Sequence, residues 1–198
     1  MHVNFSYIDK KDHNALVHGE RDDSQNMNNL TGGCIAGWMQ HNKAMAGLIA
    51  PNALSYARLQ PALLSGYWSN WGGDNRNATV RLSAEGGKKA WLEHRIADAA
   101  ANPCTTAATA LQAALLGVEG GYALPPIETG DGFTSNSAPY GVAASLSEAL
   151  DDLEVDARLS TAIGAGLVEN HIFMKRAEVI KTATLEGDAL RDLYIWYI

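Results

Sequence analysis

Polar and apolar residues alternate at the start of the chain, and a period of two is typical of a half-buried strand. The polar positions are His2, Asn4 and Ser6, and the apolar positions between and after them are Val3, Phe5 and Tyr7. We therefore predict a strand over residues 2–8, with one packed face and one polar face that could bind a ligand.

The same alternation returns on both sides of a Gly86-Gly87 turn signal. Before the turn, one face carries Ala78, Val80 and Leu82, and the other carries Asn77, Thr79 and Arg81. After the turn, Glu93 and Arg95 share a face because side chains at i and i+2 do. Residues 75–95 therefore predict two strands that present charged side chains together.

Helical spacing dominates the rest of the chain. Apolar residues at intervals of three and four predict a core helix over 30–49, with Gly32-Gly33 near its start. Asn102 and Pro103 predict the start of a helix that Gly120-Gly121 ends. Ser145 and Glu148 form a capping-box pattern, and further helices are predicted over 167–185 and 186–197.

Loops are predicted over 10–28, over 122–144, and between Pro51 and Pro61, where Arg58 lies. The aromatic residues within 62–74 are expected to pack, with stacking on a base or an amine as the alternative.

Length and charge limit the function classes. A chain of 198 residues is one domain or a large part of one, and its net charge of −7 argues against general binding to nucleic acid or anionic membranes. The longest apolar run is too short to span a bilayer, and no signal-peptide pattern opens the sequence. Cys34 and Cys104 have no metal-binding or disulfide spacing. We therefore expect a cytoplasmic protein.

A basic island stands out within this acidic chain. Between Arg58 and Arg95 the sequence carries six Lys or Arg residues and three acids. Cations held on strands can meet phosphate or carboxylate with fixed geometry, so the island is a candidate anion site. The alternative is a set of ordinary surface arginines.

Four sequence blocks resemble the catalytic domain of the glutamine synthetase family. They are the opening Met1-His2-Val3-Asn4-Phe5-Ser6, then Ser55-Tyr56-x-Arg58-Leu59-x-Pro61, then Asn75-Arg76-x-x-x-x-Arg81, and finally Glu93-x-Arg95 followed by Asn102-Pro103. The segment Trp71-Gly72-x-Asp74-Asn75-Arg76 is similar in sequence to the branch of the family that includes gamma-glutamylpolyamine ligases.

The resemblance implies an α+β fold, with an antiparallel sheet that is half of the family's catalytic barrel, packed helices and a helical carboxy-terminal region. Residues 1–198 would be the carboxy-terminal portion of the catalytic domain. The family's amino-terminal domain and a Gly-rich loop would precede Met1, so whether Met1 is the true first residue is left open. Family members form double-ring oligomers, which implies a homo-oligomer.

The resemblance also implies roles for individual residues. Arg58 and Arg95 would hold glutamate, and Arg76 and Arg81 would contact ATP phosphates, with Arg76 catalytic. Nucleotide contacts are implied for Asn4, Ser6 and Lys88, with Lys89 as the alternative to Lys88. His2 and Glu93 would be ligands of Mg²⁺ or Mn²⁺, because carboxylate oxygen and imidazole suit such cations. Without the resemblance, His2 would simply be a residue at the chain terminus, and Glu93 would only be the ion-pair partner of Arg95.

The sequence departs from the family at several positions. Ala90 and Trp91 replace a usual basic pair, Ser83 replaces a proline, and Leu64 stands where bacterial glutamine synthetases carry a glutamate that helps to deprotonate ammonium. A leucine cannot act as a base, so this route to glutamine is in doubt. Two metal ligands are also few, so metal-ligand ancestry is expected rather than metal binding by this chain alone.

Two functions from different classes follow. The first is an ATP-dependent ligase that joins ammonia or an amine to the gamma-carboxylate of glutamate through a gamma-glutamyl phosphate, in nitrogen metabolism and glutamine biosynthesis. The second is a truncated, inactive homologue that associates with an oligomer or binds anions. Whether this chain is by itself an enzyme is left open.

Overall fold

The computed structural model describes residues 2–11, 13–16, 27–63, 66–83, 89–134 and 138–195. Within these ranges the chain forms four strands and seven helices. They follow in the order β1 (Val3–Phe5), α1 (Asn29–Ile49), α2 (Ala53–Arg58), β2 (Trp71–Gly73), β3 (Val80–Ser83), β4 (Trp91–His94), α3 (Pro103–Gly120), α4 (Leu146–Val155), α5 (Ala157–Ile163), α6 (Ala165–Thr182) and α7 (Gly187–Tyr194).

The strands form one sheet in the order β1-β4-β3-β2. The predicted α+β class and the helical carboxy-terminal region are confirmed. The predicted antiparallel pairing holds between β1 and β4 and between β3 and β4, whereas β2 runs parallel to β3. The parallel pair requires the chain to return to the start of β3 within residues 74–79. Asp74 begins this reversal with a φ of 51°, so β3 starts at Val80, later than the alternation predicted.

One face of the sheet packs on α1 and forms the core. Val80, Leu82 and Leu92 are buried there together with the indole of Trp38, whose Nε1 donates to the carbonyl oxygen of Ala110 at 2.7 Å. The apolar residues of β1 pack on the same core, and its polar residues are exposed. The predicted alternation of strand 2–8 is therefore correct, although the ladder itself is limited to Val3–Phe5.

Helices α1 and α3 approach each other closely through glycines. A β-carbon added at Gly37 would lie 2.0 Å from the carbonyl oxygen of Ala113, and one at Gly117 would lie 2.1 Å from that of Gly33. The predicted ends of α3 are confirmed, because Asn102 accepts from the N–H groups of Cys104 and Thr105, and Gly121 adopts a left-handed φ of 58°.

Two helices differ from the sequence prediction. The segment between Pro51 and Pro61 contains α2 rather than only loop, because Asn52 caps it by accepting from the N–H of Ser55. Helix α5 was not predicted; Asp156 ends α4 and caps α5 through the N–H of Leu159. Helices α4, α6 and α7 lie within or close to their predicted ranges.

Candidate functional site

The face of the sheet opposite the core carries the charged residues. In the strand register, Asn4 pairs with Glu93 and Glu93 pairs with Arg81. Because these three positions are opposite one another, their side chains lie on the same face in a row across β1, β4 and β3. The strands thus bring the predicted nucleotide and metal residues together.

Glu93 is the centre of this face. Its side chain is only 8% exposed, and three partners surround its carboxylate. His2 Nδ1 lies 2.6 Å and Arg95 Nη1 3.0 Å from Oε1, while Arg81 Nη1 lies 3.1 Å from Oε2. A buried carboxylate needs such partners, because an unpaired buried charge is costly. Four predicted site residues are therefore joined through one carboxylate.

His2 is held neutral by its surroundings. Burial, and then the positive charge of Arg95, lower the pKa of His2 below its ordinary value, although Glu93 opposes the shift. A neutral imidazole has a lone pair available for a cation. At neutral pH the His2 side chain is thus in the form that a metal ligand requires.

Arg81 is held by two acids and a ring. Its Nε and Nη2 donate to one oxygen of Asp74 at 3.1 and 2.8 Å, and its Nη1 donates to Glu93. The guanidinium carbon lies 5.9 Å from the centre of the Trp91 ring. Burial works to lower the pKa of Arg81, but the hydrogen bonds and charges of the two acids raise it overall. Trp91, the departure from the family's basic residue, thus packs against a predicted phosphate-binding side chain.

Arg95 is incompletely satisfied. Its Nη1 donates to Glu93, but its buried Nε has no hydrogen-bond partner among the described residues. A buried donor without a partner costs free energy and is a feature of sites that a ligand completes. This guanidinium therefore retains capacity for an anion.

Arg58 reaches the sheet from the end of α2. Its Nη2 donates to the carbonyl oxygen of Ile96 at 2.7 Å and lies 4.0 Å from Asp98, which also accepts from Ser55 Oγ at 2.7 Å. Burial lowers the pKa of Arg58, and Asp98 partly offsets this. Arg58 thus contacts the segment that follows β4, in which Ile96 and Asp98 come shortly after Arg95.

The other predicted residues are placed less tightly. Arg76 is exposed in the turn before β3, and no ion pair of its side chain occurs among the described residues. Asn4 and Ser6 are exposed on the polar side of the first strand, and Lys89 is exposed before β4. Lys88 and Leu64 lie outside the described residues, so the expectations placed on them remain predictions.

The donor set around Glu93 suits a hard divalent cation. One carboxylate and one imidazole, which are both ligand types that Mg²⁺ or Mn²⁺ accepts, lie side by side here with 2.6 Å between His2 Nδ1 and Glu93 Oε1. No group of three or more His, Cys, Asp or Glu side chains with metal-binding geometry occurs in the part of the chain that the structure describes. His2 and Glu93 would therefore supply part of a coordination shell, and water, substrate or other carboxylates the rest.

Sequence reasoning missed the residues that position the arginines. Asp74 and Ser55 entered only as parts of sequence blocks, and neither they nor Asp98 were given a role of their own. The Asn52 cap was a local signal for α2, and hence for the orientation of Arg58. Asp74 had no comparable signal, because its contact depends on the parallel pairing of β2 and β3.

No helix among the described residues is long and apolar enough to cross a membrane.

Comparisons with known proteins agree with this geometry. A family model described as glutamine synthetase, catalytic domain, matches residues 1–191. Relatives include glutamine synthetase of Methanocaldococcus jannaschii, 34% identical over 82% of this chain and 37% of its own length. Gamma-glutamylpolyamine synthetase of Streptomyces coelicolor is 29% identical over 82% of this chain and 37% of its length.

Solved structures show the same fold. GmaS without ligand superposes with a TM-score of 0.80 and 26% identity, covering 96% of this chain and 43% of that one. A GmaS complex with ADP superposes with a TM-score of 0.80 and 25% identity, covering 94% and 43%. The chain thus spans between 37% and 43% of the length of these relatives. The family model, the sequence relatives and the structures agree that this chain belongs to the glutamine synthetase catalytic-domain family.

Proposed function

We propose that this chain is the carboxy-terminal portion of the catalytic domain of an ATP-dependent ligase. The reaction joins ammonia or an amine to the gamma-carboxylate of glutamate through a gamma-glutamyl phosphate. The observation that carries the proposal is the convergence of His2, Arg81 and Arg95 on the buried carboxylate of Glu93. Family membership and the ADP complex of GmaS support it.

The proposed substrate sites follow the arrangement of the arginines. Arg58 and Arg95 would bind glutamate, and Arg95 has a buried donor that a carboxylate could satisfy. Bidentate guanidinium groups fix a carboxylate in one orientation, which favours in-line transfer. The bound glutamate would then present its gamma-carboxylate towards the phosphate side of the face.

Arg76 and Arg81 would act on the phosphates. Transfer of a phosphoryl group spreads negative charge over its oxygens, and fixed cations stabilise that charge. Arg76 is exposed and could move with a ligand, whereas Arg81 is fixed by its neighbours. Nucleotide contacts from Asn4, Ser6 and Lys88 remain predictions. Amine attack on the acyl phosphate would then release phosphate.

His2 and Glu93 would hold Mg²⁺ or Mn²⁺. When bound, the cation would neutralise phosphate charge on this face. Because the chain spans 37% of the length of its glutamine synthetase relatives, the missing ligands would come from other parts of the catalytic domain or from a neighbouring subunit. We therefore also propose a homo-oligomeric assembly, which light scattering of the purified protein would test, and a cytoplasmic location.

A coupled ADP-release assay tests the ligase proposal. Wild-type protein is incubated with ATP, glutamate, Mg²⁺ or Mn²⁺, and one of ammonium, methylamine or putrescine. We expect a rate that depends on metal and amine and that is lost in Arg76→Ala. Arg191→Ala is the matched control, because Arg191 is an exposed arginine on α7 that pairs with Asp188 and Asp192.

The alternative is an inactive homologue that retains the face but not turnover. It is favoured by the limited donor set, since His2 and Glu93 meet but no group of three or more candidate metal ligands occurs within the described residues. This alternative predicts silence with every amine, together with measurable binding of ADP or pyrophosphate that Arg81→Ala weakens. Absence of both turnover and binding would contradict both proposals.

A further inference from the structure

Three of the five N–H donors of the Arg81 guanidinium are bonded to acids of the protein itself. Its Nη1 faces Glu93, and its Nε and Nη2 both donate to Oδ1 of Asp74. The Nε–Nη2 edge, whose two parallel N–H groups suit a phosphate, is the edge that Asp74 covers. A phosphate that binds at this edge competes with Asp74 for the same donors.

The two acids differ in how firmly they are held. Glu93 is 8% exposed and has two further partners, His2 and Arg95. Asp74 is 58% exposed, and its carboxylate has no second cation among the described residues. An exposed ion pair contributes little free energy because water and salt compete for both charges. Asp74 is therefore the acid that an incoming anion can displace.

The backbone of Asp74 holds the carboxylate in this position. Its φ of 51° lies in the left-handed region, which most residues with a side chain avoid. Its N–H donates to the carbonyl oxygen of Leu82 at 2.9 Å, which fixes the residue at the end of β2. The reversal thus places a carboxylate at the edge of Arg81 at some cost in backbone conformation.

We propose that Asp74 occupies the phosphate-binding edge of Arg81 in the ligand-free protein and is displaced when a phosphate anion binds. Asp74 is a positioning residue on this proposal: it keeps Arg81 oriented on the polar face and competes with the ligand for the same donors. The inference rests on the proposed function, since it assigns Arg81 to the phosphate.

The test measures binding of pyrophosphate and of ADP by calorimetry at an ionic strength of about 0.1 M, where exposed charges still interact. Asp74→Asn removes the charge and suits a left-handed backbone, and Asp74→Gly removes the acceptor altogether. We expect both variants to bind about two- to fivefold more tightly than wild type, the range set by an exposed ion pair.

Asp131→Asn is the matched control. Asp131 is exposed and accepts from Asn77 Nδ2 at 3.2 Å, so it lies near the same turn without contacting Arg81. We expect its affinity to equal that of wild type. A general effect of lost negative charge would tighten binding equally in both Asp→Asn variants, and that result would overturn the inference.

Other results are equally decisive. If wild type binds pyrophosphate and ADP and both Asp74 variants bind them equally well or more weakly, Asp74 does not compete with phosphate for Arg81. The inference is then overturned, and the proposed function is unaffected. No binding by wild type or by any variant would overturn the proposed phosphate site and the inference together. Far-UV circular dichroism confirms that each variant is folded before its affinity is compared.

Discussion

His2 Nδ1 lies 2.6 Å from Glu93 Oε1, although the two residues belong to segments that are far apart in the chain. The contact follows from the antiparallel register of β1 and β4, in which Val3 pairs with His94 and Asn4 with Glu93. The sheet therefore places an imidazole next to a carboxylate that also pairs with two arginines. Binding chemistry on this face depends on that one carboxylate.

Replacement of Glu93 by Gln should destabilise the fold. The change leaves Arg95 and Arg81 beside a neutral amide, and a buried cation that loses its partner is costly. We expect the free energy of unfolding in urea to fall by about 3 kcal/mol. Glu154→Gln is the control, because Glu154 forms an exposed ion pair with Arg176. The free energy of unfolding of this variant should fall by less than about 1 kcal/mol. Equal losses would contradict a structural role for Glu93.

Acid should weaken the fold through His94. Burial against the Trp38 ring lowers its pKa to about 3, with His2 adding to the shift, and neither ring nitrogen has a partner among the described residues. The unfolded chain takes up this proton below a pH of about 6.5 and the folded chain does not, so stability falls as pH drops.

Urea unfolding of wild type and His94→Phe at several pH values measures this effect. Between pH 7 and pH 5, wild type should lose about 2 kcal/mol more than the variant. Phenylalanine keeps a ring against Trp38 without a titratable group. Parallel stability curves for the two proteins would show that His94 does not stay neutral in the fold.

The contact between α1 and α3 should tolerate no β-carbon at Gly37. The added carbon would lie 2.0 Å from the carbonyl oxygen of Ala113, which is backbone and cannot move aside alone. We expect Gly37→Ala to lower the free energy of unfolding by about 3 kcal/mol. Gly166→Ala, on α6 with open space around it, should instead raise it by about 0.5 to 1 kcal/mol. Similar effects of the two changes would contradict the close approach.

Asn102 should contribute a helix cap. Its side chain accepts from the N–H groups of Cys104 and Thr105 at the start of α3. Asn102→Ala should reduce the free energy of unfolding by about 1 kcal/mol, and Asn102→Asp, which keeps an acceptor, should restore most of the loss. Chemical denaturation of the three proteins checks this, and an alanine variant as stable as wild type would exclude the cap.

Local signals predicted a large part of this fold. Alternation gave the strands that carry His2 and Glu93, and caps gave the ends of α3 and the start of α4. Strand β2 escaped prediction because Trp71–Gly73 is short and its pairing with β3 is set by the reversal at Asp74. Helix α2 was hidden between two prolines, despite the Asn52 cap.

Site residues were predictable where a side chain faces a strand neighbour at a known spacing. The i, i+2 rule placed Glu93 with Arg95, and their carboxylate–guanidinium contact is 3.0 Å. The contact of Asp74 with Arg81 depends on a parallel register that no local pattern specifies. The same holds for Asp98 and Ser55, which meet through tertiary packing.

Residues 122–134 and 138–144 follow the outer side of β2 and the residues just before it. The backbone N–H of Glu128 donates to the carbonyl oxygen of Trp71, and that of Val142 donates to the carbonyl oxygen of Tyr67. The indole N–H groups of Trp68 and Trp71 donate to the carbonyl oxygens of Phe133 and Pro125, respectively. The first two bonds occupy the backbone carbonyl groups of Trp71 and Tyr67, which a flanking strand would otherwise use. Among the described residues, the β2 side of the sheet is therefore partly covered, whereas β1 has a strand on one side only, so a complementing peptide or a self-associating copy would approach along β1.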